Sequence, residues 1–555
     1  MINRGIHEEN RYRLDIQGMR AIAVLLVFFG HVGLSFIEGG FVGVDVFFVI
    51  SGYVITQLIL LEYQRTQQFN FLRFYVNRLK RLMPAMVLMI AVVLLVLYWL
   101  MDLFVFSKQL NGAISASAWV SNLFFLIQNQ DYFSKQDAVE NFFLHTWSLG
   151  IEEQFYLIWP MLLVFLLAHK QFKNNFIVCI WVLVVLSLIL HFSISLNSDL
   201  VSFYLMPTRF WQFALGGVIA YIKVTKSYNL TGKNGLNELA YLSGLLLIFG
   251  AALILNSSYR YPYWFVIMPT FGTLLVLLAY GGGDTIGGKF LSSKYLVWMG
   301  DLSYSFYLWH WPVILLIDQF VIIDAFLRVG LAFVITILCS ILSYYLLENP
   351  LRKFKSKRPY QEQMVLLIAF MVIFCSLLFS FGKLSQDRGI TNDNVYQKAI
   401  KDIPPIYTYG CDTWYKSEEL TQCVFGDKDS EKTAVLLGDS ILAQWFSLVA
   451  RKYTQDGWKL IVLTKSSCPI VDESFYYERI KSNYKVCDVW RESALDYISQ
   501  ISPDVLIMGS ANTYPFDESQ WKSGTSRIIE RMDGLPTEIK LIAGTPGLTF
   551  NGPHV

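Results

Sequence analysis

The chain has 555 residues, of which 54% are hydrophobic, 16% aromatic and only 16% charged, whereas a typical soluble domain carries about 25% charged residues. That composition excludes a wholly soluble, disordered or fibrous chain. The 45 Lys and Arg nearly cancel the 43 Asp and Glu, leaving a formal +2, so no global basic field draws the protein to nucleic acid.

In chain order, apolar stretches of bilayer-spanning length predict eleven membrane helices, near 18–37, 41–61, 84–101, 147–168, 176–194, 207–223, 238–255, 264–280, 300–318, 325–347 and 363–381. Arg11, Arg13, Asp15 and Arg20 stand at the start of the first without a small-residue cleavage site. It therefore reads as a span, not a cleaved signal, with the N-terminus cytoplasmic. Basic residues support that orientation, because short cytoplasmic loops collect Lys and Arg. One set of loops holds Arg73, Arg78, Lys80 and Arg81, then Lys170 and Lys173, then Lys223, Lys226 and Lys233, then Arg352, Lys353, Lys355, Lys357 and Arg358. The opposite loops, such as 256–263 and 193–204, are polar, aromatic and poor in them. An odd number of spans puts the chain after Phe381 in the periplasm or outside the cell.

From Gly382 the apolar runs stop, which divides the chain into a membrane domain over 1–382, a linker or strap over 383–430 and a soluble domain over 431–555. Thr433 to Leu437 reads as a buried strand ending in Gly438-Asp439-Ser440, followed by a helical stretch from Ile441 to Arg451. Strands recur at 459–463, 505–508 and 540–543 with helix-compatible segments between them, the alternation of a parallel α/β sheet. Cys179, Cys339 and Cys375 lie in predicted spans as small apolar fillers. Cys411, Cys423, Cys468 and Cys487 fall on the oxidising side, where sequential pairing, Cys411–Cys423 and Cys468–Cys487, is favoured among three possibilities. Their spacing fits no usual zinc pattern, and no metal is expected.

Charged groups at membrane depth usually mark function. Arg20 and His31 share one face of the first span, roughly 16 Å apart along the axis, and suit opposite ends of one internal path. Asp45 follows in GGFVGVDVFFVISGY, where small residues let helices approach closely. Arg78 and Arg81, at i and i+3, present two guanidinium forks suited to phosphates, although any cytoplasmic boundary collects arginine. His145 and Glu152 are a heptad apart on one face, with Glu153 pointing elsewhere; a solvated interfacial cluster is the plain alternative. His310 lies among aromatics in DLSYSFYLWHWP, consistent with a buried site or an interfacial belt. Glu348 precedes Arg352 by one helical turn, the spacing of an ordinary ion pair.

Read together, RLDIQGMRAIAVLLVFFGH, GGFVGVDVFFVISGYVIT, FYVNRLKRLMPA, HTWSLGIEEQFYLIWP, GDLSYSFYLWHWP and LLENPLRK, in this order, resemble the membrane acyltransferase-3 family over about residues 12–382. The likeness is closest to members with an appended extracytoplasmic hydrolase-like domain, similar to bacterial O-antigen, lipopolysaccharide or peptidoglycan O-acetyltransferases. It implies transfer of an acyl group from cytoplasmic acyl-CoA, usually acetyl-CoA, to a sugar hydroxyl beyond the membrane. Arg20 and His31 match the family's Arg-ten residues-His pattern, and Arg78 and Arg81 its Arg-x-x-Arg motif, proposed to meet the coenzyme A phosphates. Glu152, Glu153, His310 and Glu348 fall on further family motifs, so the resemblance implies catalytic roles for His31, Glu152 and Glu153 and donor binding by Arg20, Arg78, Arg81 and Glu348.

The soluble part resembles the SGNH hydrolase fold. Ser440 in VLLGDSILAQW is the candidate nucleophile and Asn512 in GSANTY the candidate oxyanion-hole side chain. KSSCPIV occupies the region of the family's glycine block. Two departures stand out: Ile441 replaces a frequent histidine, and the Asp-x-x-His that would activate Ser440 is absent. His554 is preceded three positions earlier by Asn551, and without a partnered imidazole a serine is a weak nucleophile. The expected molecule is therefore a polytopic helical bundle of about eleven spans followed by an extracytoplasmic α/β SGNH-like domain, incomplete at its C-terminus. It is expected to be a multi-pass protein of the bacterial inner membrane, acetylating a cell-envelope glycan, lipid-linked or not: lipopolysaccharide O-antigen or core sugar first, peptidoglycan next. The alternative is a transporter or flippase of a lipid-linked glycan, which explains the spans and midplane charges but not an Arg pair beside a buried His. Membrane lipids are the other expected partners, and the oligomeric state is not fixed.

Overall fold

The computed structural model describes residues 13–544 except 102, 131, 133–140, 170–171, 173–174, 227–233, 257–258, 280–284, 322, 392–403, 413 and 481. Arg11, Lys170, Lys173, Lys233, Asn551 and His554 lie outside the described residues. Contacts divide the chain into two compact units, Met1–Gly389 and Ile390–Val555.

A helix covers each of the eleven apolar stretches, from Leu14–His31 to Tyr360–Thr391. Among the described residues, eight helices are long and apolar enough to cross a membrane. The other three expected spans fail that criterion for physical reasons. Ile267–Leu278 has only 12 residues. Met206–Lys226 carries buried Thr208, Arg209 and Gln212, and Lys294–Phe320 carries buried Ser303, Ser305 and His310. Such interior helices pack against protein on most sides, so polar groups with partners replace the lipid-matched aliphatic surface of Tyr360–Leu384, whose apolar window is only 6% buried.

Close backbone contact holds the interior helices. Gly43–Thr66 packs along Met206–Lys226, and a Cβ on Gly52 would stand 1.9 Å from the Phe213 carbonyl oxygen. Only glycine allows that approach, the small-residue packing of membrane helices. Asp45 is spent inside the same pair of helices. Its carboxylate accepts from Arg209 at 3.3 Å, Gln212 at 2.8 Å and the Tyr261 hydroxyl. Near Glu348 the regular helix gives way to one π turn, Tyr344–Glu348, a distortion frequent at functional sites.

In the second unit a five-stranded sheet has the order β1-β3-β2-β6-β7, formed by β1 (Cys423–Gly426), β2 (Lys432–Gly438), β3 (Trp458–Thr464), β6 (Val505–Gly509) and β7 (Glu538–Ile542). β4 (Tyr476–Tyr477) and β5 (Ser482–Asn483) form a separate ribbon. The expected all-parallel sheet is corrected at one edge: β1 runs antiparallel to β3, while β3, β2, β6 and β7 are parallel. β1 comes from the stretch read as linker, because a four-residue half-buried edge strand has too little apolar pattern to stand out. β2 is buried on both faces: Val435 and Leu437 meet Trp490, Leu495 and Ile498, and Ala434 and Leu436 meet Leu442, Phe446 and Tyr453. Such double burial makes its sequence a continuous apolar run. The helical stretch after Ser440 is two pieces, Ser440–Ala443 and Phe446–Tyr453.

Cys411–Cys423 and Cys468–Cys487 are disulfide-bonded, with Cα separations of 5.7 and 5.4 Å. The segment before β1 latches onto the loop after β3. Asp412 accepts from the Ser466 N–H and hydroxyl at 2.8 and 2.7 Å, and Lys465 Nζ donates to the Ser417 carbonyl at 2.7 Å.

Candidate active site

In the membrane unit, a cavity of about 130 Å³ is lined by Arg20, Arg78, Arg81, Ser51, Ser148, Glu152, Glu153, Tyr156, Tyr304 and Tyr307, among others. Three arginines and two glutamates far apart in sequence thus converge on one space. Both glutamates reach it, whereas helical geometry pointed them apart; adjacent side chains diverge by about 100°, and the cavity is broad enough to receive both. Their partners differ. Glu152 accepts from the Ser51 and Tyr156 hydroxyls. Glu153 takes the Arg78 fork, with Nε at 3.0 and 3.2 Å and a terminal nitrogen at 2.8 Å, and the Arg78 guanidinium lies over the Tyr156 ring.

Arg81 is placed differently. Its Nε stands 3.8 Å from Glu348, too far for a hydrogen bond, and is buried without a hydrogen-bond partner. Glu348 accepts from Ser305 at 2.8 Å, while Arg352 donates to Asn349. The Glu348–Arg352 pairing suggested by spacing is therefore replaced by contacts from two other helices, because the π turn aims Glu348 inward. Arg20 donates to Gln17 on its own helix at 3.1 Å. The cavity wall thus carries one arginine fully engaged by a carboxylate, Arg78, and a second, Arg81, whose buried Nε lacks a hydrogen-bond acceptor, which fits an anionic ligand.

His31 ends the first helix and does not line this cavity. Its Nδ1 is hydrogen-bonded to His310 Nε2 at 3.0 Å and its Nε2 to the Tyr132 hydroxyl at 2.6 Å, with Trp311 packed edge-on at 4.8 Å. His145 lies edge-on to His310 at 5.5 Å. It belongs to a 3-10 turn, Leu144–Thr146, that runs directly into the helix carrying Glu152; Glu152 lines the cavity, whereas His145 is not among its lining residues. Tyr307 connects the two places. It lines the cavity, its hydroxyl bonds Ser148 at 2.6 Å and the His145 carbonyl at 2.9 Å, and its own carbonyl bonds His310 Nδ1 at 2.5 Å. Asp45 belongs to neither place.

Sequence reasoning passed over Tyr156, Tyr307, Tyr132 and Arg209. Tyr156 is four residues from Glu152 and Tyr307 three from His310, spacings that put each pair on one helix face. Arg209 meets the same test of charge at membrane depth that singled out Asp45. Tyr132 carried no such signal, because no helical period ties it to His31.

In the soluble unit, Asp439 caps the turn after β2. One carboxylate oxygen accepts from the Ile441 and Leu442 N–H groups at 2.9 and 3.3 Å, and the other from the Ala511 N–H and the Tyr514 hydroxyl, both at 2.8 Å. Burial and the Asp439 carboxylate push the Tyr514 phenol well above its ordinary range, so it stays a donor. Asp439 thereby ties the Ser440 turn to the loop that carries Asn512. Ser440 is half-buried, whereas Asn512 is exposed and lines a groove with Gly509, Ser510, Trp521, Ile542 and Gly544. Ser440 is not among the residues lining it.

Residues 13–345 match the acyltransferase domain family, and residues 410–541 match the SGNH domain found fused to such domains. The chain belongs to the acyltransferase-3 family in its SGNH-fused form, and by class it is an O-acetyltransferase. Among curated relatives it is similar to the O-acetyltransferase OatA of Staphylococcus aureus strain NCTC 8325 / PS 47, 34% identical over 506 residues that cover 86% of this chain and 80% of the relative. It is also similar to OatA of strain MRSA252, 31% identical with the same coverage, and to the putative O-acetyltransferase SAS0844 of strain MSSA476, 32% identical over 79% of this chain and 75% of the relative. No solved structure matches the chain.

Proposed function

We propose that this multi-pass enzyme takes an acetyl group from acetyl-CoA at the cytoplasmic face of a bacterial cytoplasmic membrane and delivers it to a hydroxyl of a cell-envelope glycan on the far side. Eleven spans with the N-terminus inside give that direction, and the distribution of basic loops supports it. The observation that carries the reading is the junction at Tyr307, which lines the arginine cavity and whose carbonyl bonds His310, the partner of His31. Arg81 and Arg20 supply charge for the coenzyme A phosphates, while Arg78 is held by Glu153 and shapes the wall. A cavity of about 130 Å³ suits the thin thioester arm and leaves the nucleotide outside. His31 acts as general base or transient acetyl acceptor. Ser440 relays the group, or the soluble unit positions the glycan. The staphylococcal origin of the relatives favours a cell-wall glycan over the lipopolysaccharide preferred from sequence.

Membranes bearing the full chain, incubated with acetyl-labelled acetyl-CoA, should place label on the glycan, and His31→Ala at matched abundance should abolish it. Glycan that crosses the membrane without label would overturn the reading in favour of transport.

A further inference from the structure

The histidine pair carries information beyond proximity, because its hydrogen bonds end on a group whose role is fixed. A backbone carbonyl only accepts, so His310 Nδ1, 2.5 Å from the Tyr307 carbonyl, must carry the proton. Neutral His310 then offers a lone pair at Nε2. His31 Nδ1, 3.0 Å away, must donate to it, which leaves the lone pair of neutral His31 on Nε2, facing the Tyr132 hydroxyl at 2.6 Å. Tyr132 is thus the donor in that bond. His145 does not disturb the order, because it lies edge-on to the His310 ring and takes no part in the hydrogen bonds of His31 and His310.

We propose that His310, anchored by the Tyr307 carbonyl, is a positioning residue that fixes the tautomer of His31 and leaves Nε2 as its basic nitrogen. The assignment rests on the acetyl-transfer reading only for its consequence in turnover; the tautomer follows from the donor and acceptor roles alone. When His31 takes a proton on Nε2, its Nδ1–H stays donated to His310, so the imidazolium is held in place. The chain of bonds cannot pass that proton onward, because it ends at a carbonyl. His310 therefore orients and stabilises without serving as a proton exit, and the proton leaves by the side on which it arrived.

The test uses the full chain in lipid nanodiscs with ¹⁵N-labelled histidine. Imidazole nitrogen shifts report tautomers, and the His31 signals are assigned by their loss in His31→Gln. Wild-type His31 should be protonated on Nδ1. His310→Phe should remove that preference and lower kcat for acetyl transfer about 10- to 100-fold with KM for acetyl-CoA unchanged. His310→Gln, whose amide oxygen accepts from His31, should restore most of the rate. Wild-type His31 protonated on Nε2 would overturn the proposal, as would full kcat in His310→Phe. The wild-type spectrum decides even if His310→Phe fails to fold. Absence of acetyl transfer from the wild type, with the Nδ1-protonated spectrum intact, would count against the transferase reading and leave the positioning supported.

Discussion

Arg78 and Arg81 stand three residues apart on one helix, yet their guanidinium groups are engaged differently. Arg78 and Glu153 form a largely buried pair, with side chains 13% and 17% exposed. Removing one member leaves the other charge stranded, which costs about 3–5 kcal/mol, whereas replacing both with apolar groups is close to neutral. Arg78→Met should therefore lower thermal stability sharply, and Arg78→Met with Glu153→Met should recover most of it, as read by thermal unfolding in detergent. Arg81→Ala leaves buried Glu348, 3.8 Å from the Arg81 Nε, without its facing charge, so it should lower stability as well, though less than Arg78→Met because no hydrogen bond joins that pair, and it should raise KM for acetyl-CoA about tenfold, the loss of roughly one charge-assisted contact. An unchanged KM would remove Arg81 from the donor site.

At the scale of elements, the tightest constraint is the contact between Gly43–Thr66 and Met206–Lys226. Gly52→Ala would drive a methyl group into the Phe213 carbonyl, and overpacking of this kind costs about 1–3 kcal/mol. The expected result is a lower yield of folded protein and a lower midpoint of thermal unfolding. The need for close approach was legible in the glycine-rich GGFVGVDVFFVISGY. The identity of the partner was not, since nothing local relates Gly52 to Phe213. The loop after β3 gives a second test. Lys465 is fully buried, and burial pushes it down to about 8 from its ordinary 10.5. Between those values the unfolded chain binds a proton that the folded chain does not, so stability rises with pH across that window. Pulse proteolysis of the soluble unit in urea should show wild type gaining on Lys465→Met from about pH 8 to pH 10.5. A gap that stays constant would mean that Lys465 reaches solvent when charged.

For the whole molecule, the orientation predicts which loops meet the outside. In a background lacking Cys179, Cys339 and Cys375, Tyr259→Cys should react with a membrane-impermeant maleimide in intact cells, and Lys355→Cys only after permeabilisation; the reverse pattern would invert the enzyme. Much of the organisation was legible because it depends on local composition: the helices under the apolar runs, the strands around Gly438-Asp439-Ser440 and the clustering of charge in the span motifs. What escaped depends on distance in sequence. Arg78 with Glu153, Arg81 with Glu348 and Asp45 with Arg209 pair across helices, and no spacing rule reaches between separate elements. The π turn at Tyr344–Glu348 was equally invisible, since it changes where Glu348 points without changing the pattern around it.

The latch between the segment before β1 and the loop after β3 bears on how the soluble unit matures. Cys411–Cys423 ties the segment before β1 to that strand, Cys468–Cys487 ties the loop after β3 to the helix Lys485–Ile501, and the Asp412–Ser466 and Lys465–Ser417 bonds join the two. Loop closures of 12 and 19 residues are worth about 3 kcal/mol each in the chain-entropy picture. A nascent chain held among reducing thiols would carry the sheet but not its clasp. On the proposed topology the compartment that receives this unit also supplies the oxidant that closes both disulfides, and a copy kept in the cytosol should be an unfinished tool.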